Sequence, residues 1–479
     1  MSHRRLTPGL LIALVATISG CDNKATDIGP AVATVTITPA NPNMSGGATK
    51  QLSATLRDTG GKPIDGRTIA WSSSNSSIAT VSSTGLVTAA PVSGSVTITA
   101  TVEGKSAMTS IGILTFVQIS AGSLFSCGLI ADGTAYCWGD NTKGQLGDGT
   151  QDPTQSYRPT PTRVSTSLKF VTISAGNTTT CGIAQSGFAY CWGENYAGNL
   201  GNGTADGISP VPVAVIGGYR FVSIATGNTT TCAITANGEV YCWGRVQSDS
   251  GYGEVPRAQV EPLRAGAGMV SLVAGLQDQF CSIDAAGLGY CWRFVFKYPG
   301  GGITIGPIMG PVSTTLHFTT LRVGYGHACG LIASGQAYCW GRNEYGQLGD
   351  GTTNSSVTPV AVAGGLEFED LAAGGGVFVA SDSNGYVVGY SCGLTVTGKA
   401  YCWGHNVSGE LGTGSQTPSA LTPQQVAGGI SFKGLKAGTA HTCGLATGGA
   451  AYCWGSNISG QLGDGTTASA SQPAPVFGQ

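Results

Sequence analysis

Cysteine is the residue whose number and spacing in this chain point most directly to chemistry. The sequence of 479 residues contains 15 cysteines, of which Cys21 stands alone. The others form pairs whose members are ten positions apart, namely Cys127 with Cys137, Cys181 with Cys191, Cys232 with Cys242, Cys281 with Cys291, Cys329 with Cys339, Cys392 with Cys402, and Cys443 with Cys453. An even and regularly spaced set of this kind is typical of disulfides formed in an oxidising compartment.

The spacing itself predicts a hairpin around every pair. Cys127 and Cys137 are symmetric about Asp132, so two strands are joined by a three-residue loop that ends at Gly133. Such a loop needs a left-handed residue last, where glycine is favoured. Every repeat has one: Gly133, Gly187, Gly238, Gly287, Gly335, Gly398 and Gly449. Counting outward places the cysteines opposite each other in a non-hydrogen-bonded site, which suits a disulfide. Zinc is the alternative, but it needs short Cys-x-x-Cys spacing and further ligands.

Other residue types offer no catalytic or cofactor constellation. His327 and His441 stand two residues before a cysteine, where we expect them to satisfy backbone groups. Asp148, Asp350 and Asp464 share one turn position, which indicates turn chemistry and not a carboxylate pair. No nucleophile elbow, phosphate loop or dinucleotide fingerprint is supported. The repeats show no convergent polar residues near an axis. We therefore expect no enzyme activity, no cofactor and no metal.

The first residues have the features of an export signal. Arg4 and Arg5 precede an apolar stretch, Leu10–Ile18, which is too short to span a bilayer. The run that ends at Gly20-Cys21 resembles the bacterial lipobox, whose cysteine receives lipid and becomes the mature N-terminus. This resemblance implies a signal peptide over residues 1–20, lipidation of Cys21 and a tether over 21–31. The alternative is an ordinary signal peptide and an unmodified cysteine.

Residues 32–113 show alternating strands and turns, as in a β-sandwich whose sheets have one solvent-exposed face. The Trp71-Ser72-Ser73-Ser74 block, Ile78-Ala79-Thr80-Val81 and the closing Ile98-Thr99-Ala100-Thr101 resemble the group 2 bacterial Ig-like domain. We expect Trp71 in its core.

The remainder, residues 116–479, consists of seven repeats near fifty residues long, a period that indicates a propeller or solenoid. A tryptophan follows the second cysteine of each pair: Trp138, Trp192, Trp243, Trp292, Trp340, Trp403 and Trp454. A tryptophan repeated at one position is typical of packing between blades.

The run Trp340-Gly341-Arg342-Asn343-Glu344-Tyr345-Gly346-Gln347-Leu348-Gly349-Asp350 resembles the regulator of chromosome condensation repeat family. That resemblance implies an all-β chain with a seven-bladed β-propeller after the Ig-like sandwich. Because 473–476 match the strand at 359–362, we expect the C-terminal segment to complete the blade begun near Phe116 and so to close the ring.

Departures from the repeat indicate candidate binding sites. Blade three loses the Gly-Gln-Leu-Gly run after Trp243, and blade four continues into an aromatic and basic cluster. In blade six Gly374 and Cys392 are 18 positions apart, against 5 for Gly122 and Cys127, so 13 residues are added. Exposed aromatic and basic side chains favour protein contacts. The candidate binding residues are Arg293, Phe294, Phe296, Lys297, Tyr298, Asp382 and Tyr386. Neutral drift of loops is the alternative.

Together these features predict a binding module of the bacterial cell envelope, periplasmic or surface-exposed. Its partner would be an extracellular or periplasmic protein or glycan, and only the lipid anchor would contact the membrane. A structural adhesin or spacer without a single tight ligand is the alternative, followed by an inhibitor of a secreted enzyme or an enzyme. With 23 basic against 25 acidic residues, the charge balance does not favour nucleic acid.

Overall fold

The fold is given by a computed structural model that describes residues 29–150, 156–248, 257–276, 278–293, 295–297, 304–305, 311–379, 385–415 and 417–477. Every regular element in these ranges is a β-strand. The Cys21 lipidation site and the signal peptide lie outside them. In the described ranges no helix has the length and apolar character needed to cross a bilayer.

The first ten strands build the small Ig-like sandwich. Its sheets have the strand orders β1-β4-β5, β2-β10-β9-β6 and β3-β8-β7, and their apolar faces enclose Ile98, Val87 and Ile111. Trp71, expected in this core, is only half-buried at its edge. The strands are β1 (Thr34–Thr38), β2 (Asn43–Ser45), β3 (Thr49–Gln51), β4 (Ser53–Arg57), β5 (Pro63–Ile64), β6 (Ala70–Ser73), β7 (Ala79–Val81), β8 (Leu86–Ala89), β9 (Gly94–Val102) and β10 (Lys105–Leu114).

The remaining strands form seven blades around a central channel, each with its first strand innermost. Blade one has β11 (Phe116–Ala121), β12 (Phe125–Ile130), β13 (Ala135–Asp140) and β14 (Tyr157–Arg163); blade two has β15 (Phe170–Ala175), β16 (Thr179–Ala184), β17 (Ala189–Glu194) and β18 (Ile208–Ala214). Blade three has β19 (Phe221–Thr226), β20 (Thr230–Thr235), β21 (Val240–Ser248) and β22 (Arg257–Gly266); blade four has β23 (Met269–Ala274), β24 (Gln279–Asp284) and β25 (Gly289–Arg293).

After blade four, two short strands, β26 (Val295–Lys297) and β27 (Thr304–Ile305), join the sheet of blade three, where β26 runs parallel to β21. Blade five has β28 (Phe318–Val323), β29 (His327–Ile332), β30 (Ala337–Gly341) and β31 (Ser356–Ala361). Blade six has β32 (Phe368–Val379), β33 (Gly385–Thr395), β34 (Ala400–His405) and β35 (Ser419–Gln425); blade seven has β36 (Phe432–Ala437), β37 (His441–Ala446), β38 (Ala451–Gly455) and β39 (Ala470–Pro475).

The predicted hairpins and disulfides are present in all seven blades. Gly133 has a φ of 82°, and the amide of Gly133 donates to the carbonyl of Ile130, as a three-residue loop requires. In every blade the two cysteines face each other in the register of the second and third strands, with Cα–Cα distances of 4.0–4.1 Å. Local hairpin geometry therefore determines the disulfide pattern.

The seven bonds have the pairing that the spacing predicted. In chain order they join Cys127 to Cys137, Cys181 to Cys191, Cys232 to Cys242, Cys281 to Cys291, Cys329 to Cys339, Cys392 to Cys402, and Cys443 to Cys453. Each bond joins two strands of the same blade, so no disulfide links one blade to the next.

At four junctions the tryptophan of one blade donates a hydrogen bond to a loop carbonyl of the blade before it. At the junction of blades one and two Trp192 Nε1 has no hydrogen-bond partner among the described residues. Trp454 Nε1 donates to the carbonyl oxygen of Glu410 at 2.8 Å, and the Thr442 hydroxyl donates to the same oxygen at 3.1 Å. Trp138 and Ser126 bind the Gln461 carbonyl in the same way, at 3.0 and 3.1 Å. One buried carbonyl therefore uses both lone pairs to bind the next blade.

Blades three and four, whose sequences depart from the repeat, show which residues the contact between blades requires. Blades three and four lack the Gly-Gln-Leu-Gly loop, and the tryptophans that follow them, Trp292 and Trp340, are 5% and 7% exposed. The other five are fully buried at 0%. Phe280 and Ala328 also replace the hydroxyl residue at these two junctions. At these two junctions, therefore, both the loop and the hydroxyl that would bind it are absent.

The predicted closure of the ring by strand exchange is wrong. The C-terminal strand β39 pairs with β38 inside blade seven, while blade one has its own outer strand, β14. Each blade is therefore built from consecutive strands. The ring closes because Trp138 packs on the loop of blade seven and the Phe116 amide donates to the Gly449 carbonyl at 2.9 Å. The junction of blades seven and one is called the seam below.

The tryptophan contact leads to a first prediction. Trp454→Phe removes a buried hydrogen bond and part of the ring volume, so we expect the free energy of unfolding to fall by about 1–3 kcal/mol. Trp340→Phe is the matched control, because Trp340 is 7% exposed and makes no such bond among the described residues. Urea denaturation of both variants checks the difference, and equal losses would show that the loop contact adds nothing.

Candidate functional site

The 13 added residues of blade six extend its first hairpin beyond the other blades. Strands β32 and β33 pair from Phe368↔Thr395 out to Val379↔Gly385. This extension rises from the face that carries the connections between first and second strands and between third and fourth strands, which we call the upper face. Val377 on the extension is 54% exposed. An exposed apolar side chain on a projecting hairpin is suited to contact with another molecule.

Most predicted binding residues cannot be assigned a role from the structure. Phe294, Tyr298 and Asp382 lie outside the described residues. Only the backbone is placed for Arg293 at the end of β25, Phe296 and Lys297 in β26, and Tyr386 in β33. The backbone of Phe296 pairs with Ser248 of blade three and that of Tyr386 with Phe378. The two candidate segments therefore belong to different sheets.

The Ig-like domain lies against the opposite, lower face and covers the seam. The Ser45 hydroxyl donates to the carbonyl of Val476, near the chain end, at 2.8 Å. Thr115 continues from β10 towards the start of blade one, and a groove of about 600 Å³ there is lined by Val92, Val117 and residues of blade seven. The domain thus contacts both the first and the last strand of the ring.

The end of the Ig-like domain at which Val32 lies is remote from the propeller. The Val32 amide donates to the Glu103 carboxylate at 3.1 Å, and Glu103 lies in the turn between β9 and β10. Strand β10 then runs ten residues, from Lys105 to Leu114, before the chain enters blade one. At ~3.3 Å per residue the domain spaces the propeller roughly 30 Å from Val32.

The axial channel contains polar residues that the sequence analysis did not find, which corrects the expectation of an axis without them. Its upper half encloses a cavity of about 240 Å³ lined by the inner strands of all seven blades. Arg322 lies in the wall and binds the Asp370 carboxylate at 2.5 Å, while Lys436 lines the same cavity from blade seven. Gln118 bridges to the hydroxyl of Thr172 at 3.1 Å.

The upper mouth of this channel is narrowed by a glycine at the same alignment position of each blade, directly after the inner strand or, in blade six, within it. A Cβ on Gly122 would lie 2.5 Å from the Gly176 carbonyl oxygen, and one on Gly438 would lie 2.3 Å from that of Gly122. These distances are too short for any side chain. The seven residues that make this ring are Gly122, Gly176, Gly227, Gly275, Gly324, Gly374 and Gly438.

Each of the two histidines before the cysteines binds a serine hydroxyl, and the ring of His327 also interacts with backbone groups of Tyr325 and Tyr390, as expected. His441 Nε2 lies 2.9 Å from the hydroxyl of Ser126, across the seam, and His327 Nε2 lies 2.9 Å from that of Ser391. Ser126 donates its proton to the Gln461 carbonyl, so His441 must donate from Nε2. The Nδ1 atom of His441 has no hydrogen-bond partner among the described residues. Burial lowers the pKa of His327 to about 4 and of His441 to about 3.

The repeated aspartates have the structural role that their position indicated. The Asp350 carboxylate accepts from the amide and hydroxyl of Thr352 and from the side-chain amide of Asn343. Asp148 and Asp464 make the same contacts in their loops. In blade six a buried pair replaces the usual glutamine, with His405 Nδ1 3.0 Å from Glu410. In the described residues no group of His, Cys, Asp and Glu is arranged to hold a metal ion.

These features define a seven-bladed propeller that presents one free face and a lined axial channel. The chain belongs to the RCC1-like domain family, whose sequence profile matches residues 93–477. The bacterial Ig-like domain (group 2) profile matches residues 31–110, which confirms the predicted resemblance of the N-terminal sandwich.

Relatives share the propeller at moderate identity. The ultraviolet-B receptor UVR8 of Arabidopsis thaliana is 29% identical over 361 residues, which cover 72% of this chain and 78% of the receptor. The human E3 ubiquitin-protein ligase HERC2 is also 29% identical over 361 residues, but these are 7% of the ligase. A structure of Prp20p from Saccharomyces cerevisiae has a TM-score of 0.59 at 19% identity, covering 73% of this chain and 87% of Prp20p. That likeness shows the fold.

The buried histidines generate a prediction about pH. Their pKa values in the folded state lie below the ordinary 6.5, so their contribution to stability is present above pH 6.5 and is lost as the pH falls towards 4 and 3. Within that pH range, each of the two histidines lowers the free energy of unfolding by about 1.4 kcal/mol for every pH unit of acidification. The double change His327→Phe and His441→Phe, which copies Phe125 of blade one, should flatten the decline. Urea denaturation at pH values from 7 to 4 measures the free energy of unfolding of both proteins. If its dependence on pH is the same in the double variant, the acid sensitivity belongs to other groups.

Proposed function

We propose that this protein is an exported, lipid-anchored envelope protein that presents its propeller as a binding module for a protein or glycan. The upper face binds the ligand, and the extended hairpin of blade six is part of that surface. The role is recognition and not catalysis.

The observation that carries this proposal is the placement of the two faces. The Ig-like domain contacts the lower face through Ser45 and Val476, and its tethered end, near Val32, is remote from the propeller. A tether that begins at Cys21 would hold the lower face towards the membrane. The upper face, with the blade-six extension, would then point away from it and be accessible to a partner.

Relatives support a role in binding. Prp20p is described with binding properties to Gsp1p and histones, and a second structure holds it bound to Kap60. Gsp1p, histones and Kap60 are partners of Prp20p and are not assigned to this chain. What this chain shares is the scaffold, on which loops at the blade ends define the ligand.

Lipidation is tested with Cys21→Ser in the full-length chain, expressed in a bacterium that processes lipoproteins. The wild type should incorporate labelled palmitate and partition into detergent. The variant should not be labelled, because serine has no thiol to acylate. Equal labelling of both proteins would contradict an anchor at Cys21.

The binding face is tested by shortening the blade-six hairpin. Residues 377–387 are replaced by Asn-Gly, which joins Gly376 to Val388 where they are already paired. This keeps Val388 and Tyr390, both 0% exposed, in the core. Envelope and culture-fluid fractions are passed over the immobilised oxidised protein, and a partner held by the wild type should be lost or weakened at least tenfold.

The matched control changes the opposite face. Val171 and Val222 are 59% and 61% exposed at the lower end of the channel, so Val171→Ser with Val222→Ser alters a similar apolar area. A second variant carries Phe294→Ser, Phe296→Ser and Tyr298→Ser. Loss of the partner only in the control would reverse the assignment of faces. Absence of any partner would favour the structural spacer.

A further inference from the structure

The cavity in the axial channel has a cationic wall. Arg322 and Lys436 line it, and no aspartate or glutamate belongs to the lining. The two cations differ in how they are used. Arg322 donates to the Leu371 carbonyl at 2.8 Å and to Asp370, so its charge is compensated. Lys436 makes no ion pair or hydrogen bond to any residue in the described part of the chain.

Lys436 is an exception among seven equivalent positions. Ser120 and Ser174 occupy this position in blades one and two, and their hydroxyls accept from the amides of Ala175 and Thr226 of the next blade at 2.9 and 3.0 Å. The other blades have Ala225, Val273, Arg322 and Ala372 there. Only blade seven places a long side chain at this level without giving it a partner among the described residues.

Blade seven also leaves room beside this lysine. Two residues before it stands Gly434, where the other blades have Gln118, Thr172, Ser223, Ser271, Thr320 and Asp370. A Cβ built on Gly434 would meet nothing within 4 Å, and no positive φ requires glycine there. The gap beside Gly434 is therefore open space and not the result of backbone strain.

We propose that the upper axial channel binds a small monocarboxylate, whose charge is compensated by the Lys436 ammonium and which occupies the space beside Gly434. Arg322, Lys436 and Asp370 sum to one positive charge, which matches one carboxylate better than a doubly charged phosphate. The hydroxyl of Ser120, on the adjoining inner strand, accepts from the Ala175 amide and can donate its own proton to the carboxylate. The carboxylate can belong to a free small molecule or to an acidic side chain of a partner, and this site does not depend on the proposed function.

The ionisation of Lys436 agrees with this geometry. The pKa of Lys436 is lowered to about 8, mainly by burial and also by the charge of Arg322, while the charge of Asp370 opposes the shift. Of the elements packed against β36, strand β11 has no titratable residue, β32 has Glu369 and Asp370, and β37 has the neutral His441. Strand β33 has Tyr386 and Tyr390, and burial raises the pKa of Tyr390, so that phenol stays neutral. A bound carboxylate favours the protonated lysine, so it raises the pKa of Lys436 and its affinity falls as the pH rises above about 8.

The test uses the exported full-length chain with Cys21→Ser, in which the ten lysines are reductively methylated with a 13C label. The Lys436 signal is assigned by its loss in Lys436→Met. Acetate should move this signal saturably at pH 7 and raise its titration midpoint, whereas phosphate should have a much smaller effect. The signal of Lys433, an exposed residue on the same strand, is the internal control.

Two further arms make the result decisive. Gly434→Gln copies Gln118 and should abolish the response while the Lys436 signal remains. A peptide with blocked ends and one aspartate tests the second source of the carboxylate: a response to acetate alone assigns a free small molecule, and a response to both admits a partner side chain. A Lys436 signal unmoved by acetate, moved equally by phosphate, or still responsive in Gly434→Gln would overturn the proposal.

Discussion

The propeller depends on one buried loop carbonyl at each regular junction, which accepts hydrogen bonds from side chains of the next blade. At the junction of blades six and seven this oxygen belongs to Glu410 and the donors are Trp454 and Thr442. Between blades one and two the hydroxyl of Thr180 is the donor to the Gln145 carbonyl. The contact joins the loop of one blade to the buried strands of the next. It also explains why the loop residues are repeated more strictly than the outer strands, since a displaced carbonyl would leave buried donors unpaired.

Features set by local geometry could be predicted from the sequence. The pairing of Cys127 with Cys137 follows from the loop at Asp132, and the same loop explains Gly133. The partner of the last strand could not be predicted in this way. Pairing of β39 with β38 or with a strand of blade one satisfies the same pattern, and only the packing around the seam decides between them.

The candidate site was predicted in part. The blade-six addition was visible as a difference in spacing, and the structure turns it into a longer hairpin. The channel was missed because its residues are exceptions, each in a single blade. Aligning the inner strands places Lys436 against Ser120 and Gly434 against Gln118, and this was the signal that could have shown a lined cavity. The repeat consensus conceals such residues because it records what the blades share.

The position of the Ig-like domain at the seam has a mechanical consequence. Blades seven and one exchange no strand, and they are the two neighbours that the chain itself does not connect directly, so neither a shared sheet nor a covalent link resists opening there. The Ig-like domain contacts that junction through Ser45 and Val476 and is continuous with blade one through Thr115. Force applied at the remote end of the domain therefore enters the ring at its one covalently open joint. A load that pulled the domain from the lower face would break its hydrogen bond to Val476 and would act on blade one through Thr115.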